Sequence, residues 1–124
     1  MPNPNNVAVV AEQFHGSLQQ ITLELIGAAR FLSEKLGTGV SCFLLGHEIS
    51  KLAEGLIHHG ADEVIVVDDP QLKEYATLTY RRAVISILEH LGTSPPIVLM
   101  GSTTIGRDLA PRIAAYLETG LTAD

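Results

Sequence analysis

The residues best placed to do chemistry lie in Gly101-Ser-Thr-Thr-Ile-Gly-Arg-Asp108. A glycine and three hydroxyl residues run into the start of a helical pattern there. Free N–H groups and the helix dipole converge at such a point, which suits an anion. Ser102, Thr103 and Thr104 are therefore the candidates for holding a cofactor phosphate. One turn on, Gly106 removes a side chain, so that a helix or a ligand can pack close. Arg107 and Asp108 then offer a charge pair. The competing reading is a capped helix with a surface ion pair. It would be kinked at Pro111 or begin near Asp108, because proline deep in a helix costs about 3 kcal/mol. The residue types alone leave both readings open.

Three further clusters carry polar chemistry. His47 stands in Gly46-His-Glu48, and His58-His59 closes an amphipathic stretch. Metal ligands need one helical face or paired spacings, whereas adjacent helical residues point about 100° apart. The histidines therefore read as a solvated helix end, and no metal site is expected. Asp68-Asp69-Pro70 could offer two carboxylates to a cation or a ribose. A turn with a cap before the next helix accounts for it better. After the first apolar run comes Glu12-Gln-Phe-His-Gly16, with no G-x-G-x-x-G turn, and no G-x-x-x-x-G-K-[ST] loop occurs anywhere. No nucleophile–base pair falls at a strand end, so no catalytic residue is assigned.

The elements that must position these groups follow from periodicity. Val7–Ala11, Val40–Leu45, Val64–Val67 and Ile97–Met100 are continuous apolar runs, as strands buried on both faces read. Between them the period lengthens to three and four. Helices are predicted over Thr22–Leu36 with Gly37 as cap, from Ser50 through Leu52, Leu56 and Ile57 to Gly60, over Leu72–Leu91, and over Thr104–Leu117 ending at Gly120. The third presents Leu78, Ala83, Ile85 and Leu88 as its apolar positions. Four strand–helix alternations predict βαβ units and a parallel sheet. Ligands in such a sheet bind beyond the carboxyl ends of its strands, where strand order reverses. No linker, internal repeat or low-complexity stretch interrupts the pattern.

Composition narrows the function class. The 124 residues are 46% apolar and 18% charged, below the usual charged share of about 25%. Either a face is covered by a partner, or a sheet with helices on both sides needs the apolar residues. The net charge of −6 excludes a nucleic-acid backbone as partner, and Arg81–Arg82 reads as a solvated helix face. Cys42 is the sole cysteine, expected as a small core residue that forms no internal disulfide. No apolar run is long enough to cross a bilayer. The N-terminus has neither secretory nor mitochondrial character. The expected location is a bacterial or archaeal cytoplasm, with no membrane insertion.

The stretch Gly101-Ser-Thr-Thr-Ile-Gly-Arg-Asp-Leu-Ala-Pro-Arg-Ile-Ala-Ala-Tyr-Leu-Glu-Thr-Gly-Leu-Thr-Ala-Asp124 resembles the G-x-T-x-x-G-R-D-L-A-P-R signature region of electron-transfer flavoprotein alpha subunits. Val9-Val-Ala-Glu12, Thr22-Leu-Glu-Leu25, Leu45-Gly46, Gly60-Ala-Asp62 and Val66-Val-Asp-Asp-Pro70 agree with it. The resemblance is to the N-terminal domain. It implies a three-layer sandwich with a mainly parallel, Rossmann-like sheet of the adenine nucleotide alpha hydrolase-like kind. Residues 1–6 would be a disordered tail, 7–120 the domain, and 121–124 the start of a connection to a C-terminal FAD domain. It further implies an alpha–beta heterodimer carrying electrons between flavin dehydrogenases and an acceptor, with FAD mainly on that C-terminal domain.

No flavin-binding residue carries over. The resemblance makes this piece a scaffold and docking domain whose edge is formed by Gly101, Thr103, Thr104, Gly106, Arg107 and Asp108. The rival is a stand-alone adenine-nucleotide-binding module of universal-stress-protein type, with a phosphate at Ser102, Thr103 and Thr104.

Overall fold

The computed structural model describes residues 2–122. Strand β1 (Val7–Ala11) leads into a short antiparallel pair, β2 (Gln13–Phe14) and β3 (Ser17–Leu18), and then helix α1 (Gln20–Leu36). Strand β4 (Val40–Gly46), helix α2 (Ala53–His58), strand β5 (Glu63–Asp68), helix α3 (Thr77–Leu91), strand β6 (Val98–Leu99) and helix α4 (Thr104–Leu117) follow. The main sheet has the order β5-β4-β1-β6 and every pairing in it is parallel. This is the three-layer α/β class the alternation predicts.

The chain steps from β1 outward to β4 and β5, then recrosses to place β6 on the other side of β1. Helices α1 and α2 cover one face. There Val7, Val9, Ala11, Cys42 and Leu44 meet Ile26, Ala29 and Leu56. Helices α3 and α4 cover the other, where Ala8, Val10, Phe43 and Leu45 meet Val84, Ile87, Leu88, Leu109 and Ile113. Every residue of β1 and β4 is buried because each has a layer on both sides. Residues of β5 and β6 are only half-buried, as edge strands are, apart from the exposed Asp68. Cys42 lies in this core, and burial pushes its thiol up to about 12.

Several boundaries differ from the sequence reading, each for a local reason. Gly37 caps α1 in the left-handed region as expected (φ 70°). Ser50 does not cap α2. A single 3-10 turn, Ser50–Leu52, comes first, and Ile57 is exposed. Helix α3 starts at Thr77, not Leu72, because residues 70–72 form a separate 3-10 turn capped by Asp69. Leu78, expected on the apolar face, is exposed, and Leu72 and Tyr80 are buried instead. Helix α4 begins at Thr104 and runs through Pro111 rather than starting near Asp108. It stops at Glu118, in the left-handed region (φ 53°), before Gly120.

Within the tail expected over 1–6, Asn6 is fixed, which corrects that expectation at this residue. It is buried, its side-chain amide donates to Ser41 Oγ (3.1 Å), and its carbonyl oxygen accepts from the Gly39 N–H (2.9 Å). Met1 and, of the expected connection 121–124, Ala123 and Asp124 lie outside the described residues.

Candidate functional site

Strand order reverses between β1 and β6, so the crevice beyond their carboxyl ends is where an open parallel sheet would take a ligand. Its walls are the Glu12 loop on one side and Gly101–Gly106 on the other. Thr103 has extended backbone and caps α4, its Oγ1 accepting from the Gly106 N–H at 3.0 Å. The same hydroxyl donates to the Glu12 carboxylate, 2.8 Å from Oε2 and 3.0 Å from Oε1. Glu12 is in turn fixed by Thr22, which accepts from its N–H (2.7 Å) and donates to its carbonyl (3.1 Å).

The glycines explain how the parts fit so closely. A Cβ on Gly101 would lie 2.8 Å from Glu12 Oε2. One on Gly106 would collide with the Gly101 carbonyl, so the first turn of α4 rests directly on the backbone leaving β6. The sequence expectation of a close approach at Gly106 is met by the chain's own backbone.

The structure does not join Arg107 to Asp108. Consecutive helical residues diverge by about 100°. Arg107 reaches the Ser102 hydroxyl at 3.3 Å, with its guanidinium exposed. Asp108 turns toward the start of α3 and accepts from Thr77 Oγ1 and Tyr75 Oη, both at 2.6 Å, with Arg112 at 3.5 Å. The Thr77 and Tyr75 bonds hold its carboxyl below the usual range. Burial, reinforced by the bond to Asp108, pushes the Tyr75 phenol up to about 12. Thr104 is exposed.

The remaining sequence candidates sit at the β4–β5 end or away from the crevice. Asp68 accepts from the Glu48 N–H (2.7 Å), the Ile49 N–H (3.3 Å) and Ser50 Oγ (3.2 Å). Those bonds, that from Glu48 foremost, lower its carboxyl. Asp69 accepts from the Gln71 N–H at 2.8 Å. The Asp pair therefore shapes turns, as the sequence reading favoured. His47 Nδ1 lies 3.8 Å from Asp68 Oδ1. His58 and His59 are exposed at the end of α2, His59 Nδ1 resting 2.7 Å from the Gly55 carbonyl. Among the described residues no three His, Cys, Asp or Glu gather as metal ligands, and no helix is long and apolar enough to cross a membrane.

Sequence reasoning gave no role to Glu12, Tyr75 or Thr77, nor did it foresee the hairpin. Its two-residue turn, His15 (φ 49°) and Gly16 (φ 84°), has the left-handed pair that tight hairpins require. Phe14 is exposed and stacks on His15 with centroids 4.0 Å apart, while His15 Nε2 lies 3.4 Å from Glu74. Beneath it is a cavity of about 130 Å³, whose lining includes Glu12, Phe14, Tyr75, Tyr80, Met100 and Gly106. The His-Gly dipeptide was the available signal for the hairpin. For Glu12 it was a carboxylate immediately after a buried strand.

The family model described as "Electron transfer flavoprotein domain" matches residues 7–124. The chain belongs to the electron-transfer flavoprotein family. It is 45% identical over 118 residues to the "Electron transfer flavoprotein subunit alpha" of Megasphaera elsdenii, covering 95% of this chain and 34% of that protein. With the subunit of the same description from Thermoanaerobacterium thermosaccharolyticum it shares 44% over 124 residues, 100% of this chain and 37% of the relative. The "Acryloyl-CoA reductase electron transfer subunit beta" of Anaerotignum propionicum is 43% identical over 119 residues, 96% of this chain and 32% of the relative.

The chain thus spans about one-third of the length of these curated relatives. The resemblance to the N-terminal domain of an electron-transfer flavoprotein alpha subunit holds. What the geometry adds is that several residues carrying the resemblance bond to one another: Thr103 to Glu12, the Gly106 N–H to Thr103, and Arg107 to Ser102.

Proposed function

We propose that this electron-transfer flavoprotein domain is a scaffold and docking domain. It holds a beta subunit and a C-terminal FAD domain in a fixed pose within a heterodimer. That heterodimer carries electrons between flavin dehydrogenases and an acceptor, in the cytoplasm. The domain itself catalyses nothing and binds FAD weakly, the flavin resting mainly on the C-terminal domain. The observation that carries the reading is the internal use of the Gly101–Asp108 stretch. Gly106 packs on Gly101, Thr103 caps α4 and binds Glu12, and Asp108 ties α4 to Tyr75 and Thr77. Residues so engaged fix the shape of an edge more than they receive a ligand. Of the proposed edge, Arg107 and Thr104 stay exposed and available to a neighbour.

The similarity to subunits named for electron transfer supports the same reading. Its test is sedimentation of the chain mixed with an electron-transfer flavoprotein beta subunit. A one-to-one complex at micromolar concentration is expected, weakened by Arg107→Glu. Independent sedimentation of the two chains would contradict docking.

A further inference from the structure

We propose that Glu12 is the selectivity determinant of the β1–β6 crevice, and that its carboxylate keeps phosphate-bearing ligands out. The inference concerns ligand choice alone and stands apart from docking. Glu12 follows the last residue of β1, at the reversal of strand order where an open parallel sheet receives its ligand. Its Oε2 lies against Gly101 so closely that a Cβ there would come within 2.8 Å. The open backbone of Gly101 is therefore faced by this chain's own negative group.

The hydrogen bonds of Thr103 are committed in the same way. Thr103 directs its only hydroxyl proton to the Glu12 carboxylate and receives the Gly106 N–H. That proton and that N–H are two donors that an incoming phosphate at the start of α4 would otherwise meet. Charge points the same way. Two like charges a few ångströms apart in a half-buried setting repel more strongly than a helix N-terminus attracts either of them. The carboxylate gains the favourable end of α4 for itself, and a second anion meets a filled position.

The test titrates the 124-residue chain and its Glu12→Gln and Glu12→Gly variants with inorganic phosphate. Chloride at matched ionic strength is the control, and the amide chemical shifts of residues 101–107 are the readout. Glutamine keeps the size of the side chain and an oxygen that can accept from Thr103, so it removes charge with little risk to the fold. The unsubstituted chain is expected to show no phosphate-specific shift at these amides. Glu12→Gln should bind phosphate there at least about tenfold more tightly than the unsubstituted chain, and Glu12→Gly more tightly again. Should Glu12→Gly not fold, Glu12→Gln decides alone. Phosphate binding by the unsubstituted chain equal to that of Glu12→Gln, or no gain in Glu12→Gln, overturns the proposal.

Discussion

The carboxyl edge of the sheet is closed by a carboxylate at each end, and the two do different work. At the β4–β5 end Asp68 accepts from two backbone N–H groups and a hydroxyl, all within residues 48–50. It staples one loop. At the β1–β6 end Glu12 bonds a hydroxyl 91 residues away and so links the first strand to the last helix. Asp68 binds its backbone amides directly, whereas Glu12 is linked to one, the Gly106 N–H, through the Thr103 hydroxyl. The contrast shows how one kind of group serves as a local turn former in one place and a long-range tie in another. Only the second stands where a ligand would sit.

The largest effect on this contrast is expected at the β1–β6 end, where backbone meets backbone. Gly106→Val places a side chain into the Gly101 carbonyl, which can yield only by moving α4 off β6. It should cost about 3 kcal/mol or more in urea unfolding. Asp68→Asn should have a smaller effect with a pH signature. The folded pKa of Asp68 lies below the ordinary 3.8, so its contribution is present above that value and is lost as pH falls through the folded pKa. Unfolding midpoints measured from neutral pH downward should fall less steeply below pH 3.8 in Asp68→Asn than in the unsubstituted chain. The smallest effect belongs to Tyr75→Phe, which removes one of two short bonds to Asp108 at a cost of about 1 kcal/mol. Ultraviolet titration should lose in this variant a phenol that ionises at about 12.

The layers of this fold were legible because buried parallel strands are apolar throughout, from which β1 and β4 were read, and because the helical period of α1 ends at a glycine cap. Boundaries at the edges were not. Pro70 starts a one-turn 3-10 segment that apolar spacing cannot tell from the first turn of α3, so Leu72 was assigned to the helix and Leu78 to its buried face. In the candidate site, Gly106 and the capping hydroxyls were visible as types and spacing. That Asp108 turns to Tyr75 and Thr77 depends on side chains more than 30 residues apart meeting between α4 and the start of α3. No local pattern encodes such a meeting. Glu12 shows the same limit, as its position after β1 was plain but its partner Thr103 was not.

The account rests on this domain being a platform whose ligand position is taken up by its own side chains. The most direct measurement is a fluorescence titration of the 124-residue chain with FAD. Weak, unsaturated binding through the micromolar range is the predicted result. A micromolar or tighter dissociation constant would contradict it.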